Sequence, residues 1–271
     1  MSGSPAIDRT LVRRNFSLHA ADYDRYARVQ KRVAGHVLDQ ALAAGFPDGA
    51  VLDVGTGTGE LARHFSREKP DHPLLICDVA HGMTCTAQRA LPQALALDGD
   101  AHQLPLASDS LAMVLSSSVF QWSDSLTQVF SECARVLQPG GVLAFALFGE
   151  QTLWQLHEAF RLACEKYTST APDYFHNFPA LSQVELALSA CGFSEVSCRS
   201  EEERDYHPDL RELLISLKQI GAQNASRQRP RGLFPRKVML EMATLYGERF
   251  SDSDGLPASY EVIYGFARLP A

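Results

Sequence analysis

The chain has 271 residues, of which 45% are hydrophobic and 21% charged, and this composition is typical of a globular protein and excludes a disordered one. The net charge of −7 disfavours nucleic acid as a partner, because nucleic-acid-binding surfaces are basic. The six cysteines form no Cys-x-x-Cys pair, so we expect reduced thiols, no metal site and a reducing compartment, the cytoplasm. The longest apolar run, residues 141–149, is too short to span a bilayer, and residues 1–14 lack the apolar segment of a secretory signal. We therefore expect no membrane association.

The first half of the chain alternates between helical and strand-like patterns. Residues 8–44 carry apolar side chains at helical spacing, and residues 50–54 form a short apolar run typical of a buried parallel strand. Further strand-like runs, separated mostly by helical stretches, lie at 73–77, 94–97, 111–117 and 142–148. Alternating strands and helices predict an α/β fold in which helices cover both faces of a parallel sheet.

The last third of the chain has a different pattern. A strand-like run at 193–206 is followed by helical stretches at 210–220 and 236–246, and a last strand is predicted at 260–269. The two helices therefore belong to a helical insertion on the substrate side, between the last two strands, which we place at residues 207–250.

A glycine-rich loop, Gly55-Thr56-Gly57-Thr58-Gly59, directly follows the first predicted strand and precedes a helix. Glycines at such a turn let the backbone approach a ligand closely. The third glycine comes one position too early for the dinucleotide pattern G-x-G-x-x-G. Asp53 stands just before the loop, where a carboxylate repels a pyrophosphate but suits a ligand with ammonium and sulfonium groups. That ligand is S-adenosylmethionine; a tight turn in an unrelated α/β fold is the alternative interpretation.

Polar residues also follow the next three predicted strands. Asp78 ends the second strand, where it is expected to accept hydrogen bonds from both ribose hydroxyls, although a helix N-cap explains it as well. Asp100 and Ala101 follow the third strand and are expected to bind the adenine amino group and ring. The fourth strand ends at Ser116 and Ser117. Because ligands of open α/β sheets bind beyond the carboxyl ends of the strands, these positions predict a single cofactor pocket.

On these motifs, residues 50–148 resemble the class I S-adenosylmethionine-dependent methyltransferases. Residues 100–106 look like the second cofactor motif of that family, whereas Ala112 stands where the family usually has a structural aspartate. The resemblance implies a Rossmann-like α/β fold with a mostly parallel seven-stranded sheet and an antiparallel last strand. It also implies a single domain over residues 1–271, in which residues 8–44 form an N-terminal helical lid and residues 50–148 the cofactor-binding core.

The family resemblance implies S-adenosylmethionine as the cofactor. The residues expected to bind it come from the glycine loop, the strand ends and the lid. They are Asp53, Gly55, Thr56, Gly57, Gly59, Asp78, Val79, Met83, Asp100, Ala101, Ser116, Ser117, Tyr23 and Gln30. Tyr23 is expected to cover the cofactor, with Gln30 beside it; a helix-packing aromatic is the alternative for Tyr23.

A narrower resemblance covers almost the whole chain. Several segments resemble those of the malonyl-[acyl-carrier protein] O-methyltransferases, which act in the early, pimeloyl-making part of biotin synthesis. These segments are residues 14–16, 20–24, Gln30, Gln121-Trp122, 217–222 and 256–260. The resemblance implies methylation of the free carboxylate of a malonyl thioester, carried by acyl carrier protein or coenzyme A. We expect the enzyme to be a monomer.

The chemistry that this resemblance implies needs no general base, because a carboxylate with a pKa near about 4 is already ionised at neutral pH. We therefore name no catalytic acid or base. Gln121 and Trp122 are expected beside the transferred methyl group, with core packing as the alternative for Trp122. The buried substrate carboxylate needs a partner. The main candidates are Lys218, Tyr260 and His176, and Arg161 and Arg199 are further ones.

A basic segment is the candidate docking site for the carrier. Residues 213–240 contain six basic and no acidic residues in a chain whose net charge is −7. Because acyl carrier proteins are acidic, the family resemblance implies that the carrier docks here, through Arg227, Arg229 and Arg231. A solvated loop and helix is the simpler alternative.

Three other functions remain open at this point. They are methylation of another small acid, a cofactor-binding assembly factor without activity, and a relative of the mitochondrial factor that hydroxylates an arginine of respiratory complex I. The intact glycine loop and strand-end acids disfavour the second, and the lack of a convincing transit peptide disfavours the third.

Overall fold

The computed structural model describes residues 7–167, 175–221 and 235–271. In these ranges the helices are α1 Arg9–His19, α2 Tyr23–Tyr26, α3 Arg28–Ala44, α4 Glu60–Glu68, α5 His81–Ala90, α6 Leu126–Val136, α7 Trp154–Tyr167, α8 Leu181–Ser189, α9 Leu210–Gln219 and α10 Arg236–Phe250. The strands are β1 Ala50–Val54, β2 Leu74–Asp78, β3 Leu95–Asp98, β4 Leu111–Ser117, β5 Leu137–Phe148, β6 Glu195–His207 and β7 Leu256–Arg268. A short 3-10 turn, Phe120–Trp122, follows β4.

Seven strands form one sheet in the order β3-β2-β1-β4-β5-β7-β6. The neighbours from β3 to β5 pair in parallel, and β7 pairs antiparallel with both β5 and β6. This arrangement confirms the predicted mostly parallel sheet with an antiparallel last strand. After β3 the chain returns to the other side of β1, so the topological switch point lies between β1 and β4.

Two strands begin earlier than their sequence patterns predict. β5 starts at Leu137 and β7 at Leu256. Pro139 and Pro257 lie inside these extensions. Because proline lacks the N–H that donates a hydrogen bond between strands, its presence does not indicate a strand in the sequence pattern. Pairing of β6 with β7 nevertheless continues to His207, opposite Leu256.

The three helices before β1 confirm the helical prediction for residues 8–44, but they pack in two different ways. α3 buries Val29, Val33 and Val37 in the hydrophobic core against the sheet. α1 is capped by Asp8, whose Oδ1 accepts from the Leu11 backbone N–H at 3.1 Å, and it packs on α5. The short α2 contacts α9. α3 is therefore part of the scaffold, whereas α1 and α2 lie on other helices.

Helices cover both faces of the sheet. α3, α4, α7 and α10 pack on one face, and α6 and α8 on the other. The predicted insertion corresponds to α9 and α10, which stand between β6 and β7. Within the described ranges, no helix combines the length and apolarity needed to cross a bilayer. Because helices cover the two faces of the sheet, the polar side chains lie at the carboxyl ends of β1 to β4.

Candidate functional site

The glycine loop between β1 and α4 is bent tightly over the end of β2. The backbone N–H groups of Gly55 and Thr56 both donate to the Cys77 carbonyl, at 2.7 and 2.9 Å. Gly55 has a φ of 68°, and a Cβ at this position would lie 2.3 Å from Cγ2 of Val119. Only glycine therefore fits at Gly55, and this close approach brings the loop against the segment that follows β4.

Asp53 lies directly under the loop. Its side chain is 1% exposed, and its Oδ2 accepts a hydrogen bond from Thr56 Oγ1 at 2.8 Å. Burial raises the pKa of Asp53 to about 7, and the nearby charge of Asp78 adds to this effect, while the Thr56 hydrogen bond opposes it. Asp53 is therefore a buried carboxyl group whose ionised form lacks a compensating cation within the described residues.

Asp78 stands at the end of β2, beside the same loop. Its Oδ2 accepts from the Gly57 N–H at 3.0 Å, and its Oδ1 accepts from the Ala80 N–H at 2.8 Å. Burial raises the pKa of Asp78 to about 6, against the lowering effect of these backbone hydrogen bonds. The two N–H donors fix the carboxylate at the mouth of the loop.

Asp100, beyond β3, has the opposite electrostatic environment. It accepts from the His102 ring Nδ1 at 2.6 Å and from the His102 backbone N–H at 2.9 Å, and Arg9 of α1 reaches its other oxygen at 3.3 Å. The His102 hydrogen bond, above all, lowers the pKa of Asp100 to about 2. Arg9 also contacts Asp124 at 3.0 Å, so it joins α1 to two loops of the core.

Two adjoining recesses open at these strand ends. The larger recess lies between α1 and the ends of β1 to β4, and it is lined by Asp78, Asp100, Phe16 and Trp122 among others. The smaller recess lies between the loop and helices α2 and α3, and it is lined by Asp53, Thr56 and Gln30 among others. Tyr23, Gly55, Gly57 and Ser117 line both, so the two recesses meet at these four residues.

Most of the residues predicted to bind cofactor lie around these recesses. Nine line the larger one: Tyr23, Gly55, Gly57, Asp78, Val79, Met83, Asp100, Ala101 and Ser117. Asp53, Thr56 and Gln30 line the smaller one. Gly59 and Ser116 line neither: Gly59 precedes α4 with a φ of 88°, and the buried Ser116 hydroxyl donates to the Val54 carbonyl at 2.9 Å.

The structure scatters the residues predicted to bind substrate. Trp122 lines the larger recess and stacks on His176, with ring centroids 4.6 Å apart. Gln121 and His176 line a third recess behind the 3-10 turn, where His176 Nε2 donates to the Gln121 carbonyl at 2.8 Å. Tyr260 packs in the core against Phe148, and Lys218 lies on the exposed side of α9; neither lines any of the three recesses.

The other candidate partners for the substrate carboxylate are occupied or lie outside the described residues. Arg161 pairs with Glu158 and Glu165 on its own helix, and Arg199 pairs with Glu201. The three arginines of the predicted carrier-docking site, Arg227, Arg229 and Arg231, lie outside the described residues.

Several lining residues were not among the predicted site residues, among them Arg9, His102, Ser118 and Val119. His102 could have been predicted from the sequence, because it belongs to the motif that starts at Asp100. Arg9 could not have been predicted, because its partners Asp100 and Asp124 are distant in sequence and contact it only when α1 packs on the core. In the described part of the chain, no group of three or more His, Cys, Asp or Glu side chains could hold a metal ion.

The raised pKa of Asp53 leads to a stability prediction. The folded protein keeps this proton up to about pH 7, whereas the unfolded chain loses it near pH 3.8, so burial of the charge destabilises the fold as the pH rises between these values. Without cofactor, Asp53→Asn should therefore raise the free energy of unfolding at pH 8 by about 2–4 kcal/mol. The gain should nearly disappear at pH 4.5.

Urea unfolding at the two pH values measures this difference. The control is Asp39→Asn on exposed α3 surface, which should change stability by less than about 0.5 kcal/mol at both. A destabilised Asp53→Asn variant at pH 8 would contradict the analysis of this carboxyl group.

Comparison with known proteins agrees with this geometry. A family model described as a methyltransferase domain matches residues 52–145. Among solved structures, phosphoethanolamine N-methyltransferase 2 of Haemonchus contortus, in complex with phosphomonomethylethanolamine and S-adenosylhomocysteine, has the same fold. Its TM-score is 0.55 at 16% identity, over 88% of this chain and 52% of that one.

Two relatives are similar over nearly the whole chain. A malonyl-[acyl-carrier protein] O-methyltransferase of Geobacter sulfurreducens is 41% identical over 97% of this chain and 99% of its own length. A biotin biosynthesis bifunctional protein of Teredinibacter turnerae is 31% identical over 96% of this chain and 46% of its own length. The chain therefore belongs to the malonyl-[acyl-carrier protein] O-methyltransferases, a family of S-adenosylmethionine-dependent enzymes.

Proposed function

We propose that the chain transfers a methyl group from S-adenosylmethionine to the free carboxylate of a malonyl thioester on acyl carrier protein, as a step of biotin synthesis. The observation that carries this proposal is the 41% identity to a malonyl-[acyl-carrier protein] O-methyltransferase over 97% of the chain. That match includes the lid and the helices after β6, and not only the cofactor core. The relative named for biotin biosynthesis supports the pathway.

The two recesses have the donors and acceptors that S-adenosylmethionine requires. Asp53 and Asp78 are buried carboxyl groups with raised pKa values, and a bound cation would stabilise their ionised forms. Ser117, where the recesses meet, has a buried hydroxyl oxygen without a hydrogen-bond partner among the described residues. In our proposal the ribose binds Asp78, the adenine binds Asp100 and Ala101, and the methionine end lies in the smaller recess near Asp53 and Gln30. Gly59 and Ser116 support this pocket from behind.

The bound cofactor supplies an electrophilic methyl group on a positively charged sulfur. The substrate carboxylate forms the new O–CH₃ bond as the S–CH₃ bond breaks, and the two opposite charges cancel. Such a reaction is favoured where water is excluded. Phe16, Tyr23 and Trp122 are three of the aromatic side chains that line the larger recess, and in our proposal they exclude water from it. Phe16 packs between the other two, at centroid distances of 6.5 and 5.8 Å.

We also propose that α1 and α2, within residues 8–44, act as a lid over the cofactor. Arg9 contacts Asp100 and Asp124, and Thr58 of the glycine loop donates to Asp24 of α2 at 2.6 Å. These polar contacts are partly exposed, and exposed ion pairs contribute only about 0–1 kcal/mol each. The apolar contacts of α1 and α2 form two small clusters that are separate from the two core clusters of the sheet. The lid can therefore open without unfolding the sheet.

Hydrogen exchange tests the lid. Adding S-adenosylhomocysteine should slow amide exchange in α1 and α2 as well as in the glycine loop, because the ligand lies between them. Arg9→Ala should reduce this protection in α1 and leave β4 unchanged. Protection confined to residues 55–59 would show that α1 and α2 are scaffold only.

For the carrier, we propose that the segment with Arg227, Arg229 and Arg231 binds the acidic acyl carrier protein. We also propose that the enzyme is a monomer and acts in the cytoplasm. The segment with these arginines is basic, which favours an acidic partner. Because the net charge of the whole chain is −7, an acidic protein is favoured over a nucleic acid. Reversing all three to Glu should raise the KM for malonyl-acyl carrier protein about tenfold or more. The KM for malonyl-coenzyme A should change less, because that substrate lacks the protein surface.

Steady-state kinetics at low and high salt measure the effect, which should shrink as salt screens the charges. The control reverses two exposed arginines of the core helices, Arg67 and Arg89, and should leave both KM values within about twofold. Equal losses on both substrates would contradict a docking role for the segment.

The activity itself is tested with methyl-labelled S-adenosylmethionine and malonyl-acyl carrier protein. Label should enter a base-labile ester on the carrier. Asp78→Ala should weaken cofactor binding about ten- to a hundredfold, because the ribose loses a charged hydrogen-bond acceptor, and should lower turnover at limiting cofactor. Label in another small acid, with none on the malonyl carrier, would show that the enzyme methylates a different acceptor.

A further inference from the structure

Ser118 has an unusual backbone conformation at the edge of the larger recess. Its φ is 60°, in the left-handed region that residues with a side chain rarely adopt. Two hydrogen bonds hold it there: its N–H donates to the Ala146 carbonyl of β5, and its carbonyl accepts from Gln121 Nε2, both at 2.8 Å. Gln121 is itself only 3% exposed. The surrounding structure therefore imposes this conformation on Ser118, and such strain is concentrated at functional sites.

Ser118 does not use its hydroxyl in the hydrogen bonding of the fold as far as the structure describes it. Its hydroxyl oxygen is buried and has no hydrogen-bond partner within the described residues, although Ser118 lines the larger recess. Leaving a buried hydroxyl unpaired is unfavourable, so most such groups have a partner. Ser117, its neighbour, belongs to both recesses and is assigned above to the cofactor; Ser118 lines only the larger one.

The charged groups of the recesses indicate what this hydroxyl binds. Within the described residues, one arginine and one lysine line the two recesses, and both have carboxylate partners: Arg9 contacts Asp100 and Asp124, and Lys31 contacts Asp24. The substrate's carboxylate nevertheless needs a hydrogen-bond donor when it leaves water. A hydroxyl group supplies one without a charge.

A neutral donor also suits this reaction. The carboxylate is fully charged before methyl transfer and loses its charge as the ester forms. A cation would stabilise the starting carboxylate more than the transition state and would slow the step, because only differential stabilisation of the transition state accelerates it. A hydroxyl group also orients the carboxylate, but it stabilises the starting carboxylate less than a cation does and therefore slows the step less.

We propose that the Ser118 hydroxyl donates a hydrogen bond to the free carboxylate of the acceptor and aims that carboxylate at the transferred methyl group. This inference rests on the proposed function, and it makes Ser118 a residue that selects thioesters with a terminal carboxylate.

The test compares Ser118→Ala and Ser118→Gly with the wild type. Both variants lose the hydroxyl, and the glycine variant also relieves the left-handed backbone. The kcat/KM for malonyl-coenzyme A should fall about ten- to a hundredfold in both, as expected for the loss of a hydrogen bond to a charged group. Acetyl-coenzyme A, which lacks the carboxylate, should keep its inhibition constant within about twofold. The Kd for S-adenosylhomocysteine should also stay within about twofold.

The possible results separate the inference from the function on which it rests. An inactive wild type on malonyl thioesters would reject the proposed function, and the role of Ser118 with it. With an active wild type, an unchanged Ser118→Ala variant would reject the inference alone. Equal weakening of malonyl- and acetyl-coenzyme A, weaker S-adenosylhomocysteine binding, or full activity of Ser118→Gly beside an inactive Ser118→Ala would also reject it. The control is Ser131→Ala, on the exposed side of α6, which should behave like the wild type.

Discussion

The site depends on one constraint, the burial of two carboxyl groups beneath a single glycine loop. Asp53 and Asp78 lie on neighbouring parallel strands, and the loop that covers them closes tightly because Gly55 fits under Val119. Burial raises both pKa values toward neutrality, and the charge of Asp78 adds to the rise at Asp53, so the protein without cofactor has an unfavourable charge distribution at its centre. The sheet must be stable enough to tolerate this distribution. In our proposal, cofactor binding and fold stability are linked through the same two side chains.

That stability comes from the parts of the molecule that are remote from the reaction. Apolar helices cover both faces of the sheet, and β5 and β7 lie deep within it. The proposed lid, α1 and α2, is held by two small apolar clusters, by ion pairs such as that between Arg9 and Asp124 and by single hydrogen bonds such as that between Thr58 and Asp24. In our proposal, this division lets the lid open for exchange of cofactor and substrate while the strand ends stay fixed.

The sequence was sufficient for the features that depend on local pattern and strand order. The positions of Asp78 and Asp100 follow from where strands end, and parallel strands bring those ends to one edge of the sheet. It was insufficient for features that arise when distant segments dock. The left-handed backbone of Ser118 depends on hydrogen bonds to Ala146 and Gln121, which no periodicity encodes. Tyr260, a candidate for the substrate carboxylate, lies instead among core side chains, because β7 begins at Leu256 and Tyr260 is an interior residue of this buried strand.

The antiparallel pairing of β6 with β7 has a consequence for how this family can diversify. The chain leaves the sheet after His207 and re-enters it at Leu256, and these two residues are paired directly across the ladder. Residues 208–255 therefore begin and end at adjacent points on a rigid edge. Because joining such close ends costs little additional chain entropy as the connection lengthens, this segment can change in length and sequence without altering the register of the sheet. In our proposal, in which this segment docks the carrier, partner choice can therefore change by replacement of residues 208–255 alone, without a change in the methyl-transfer site.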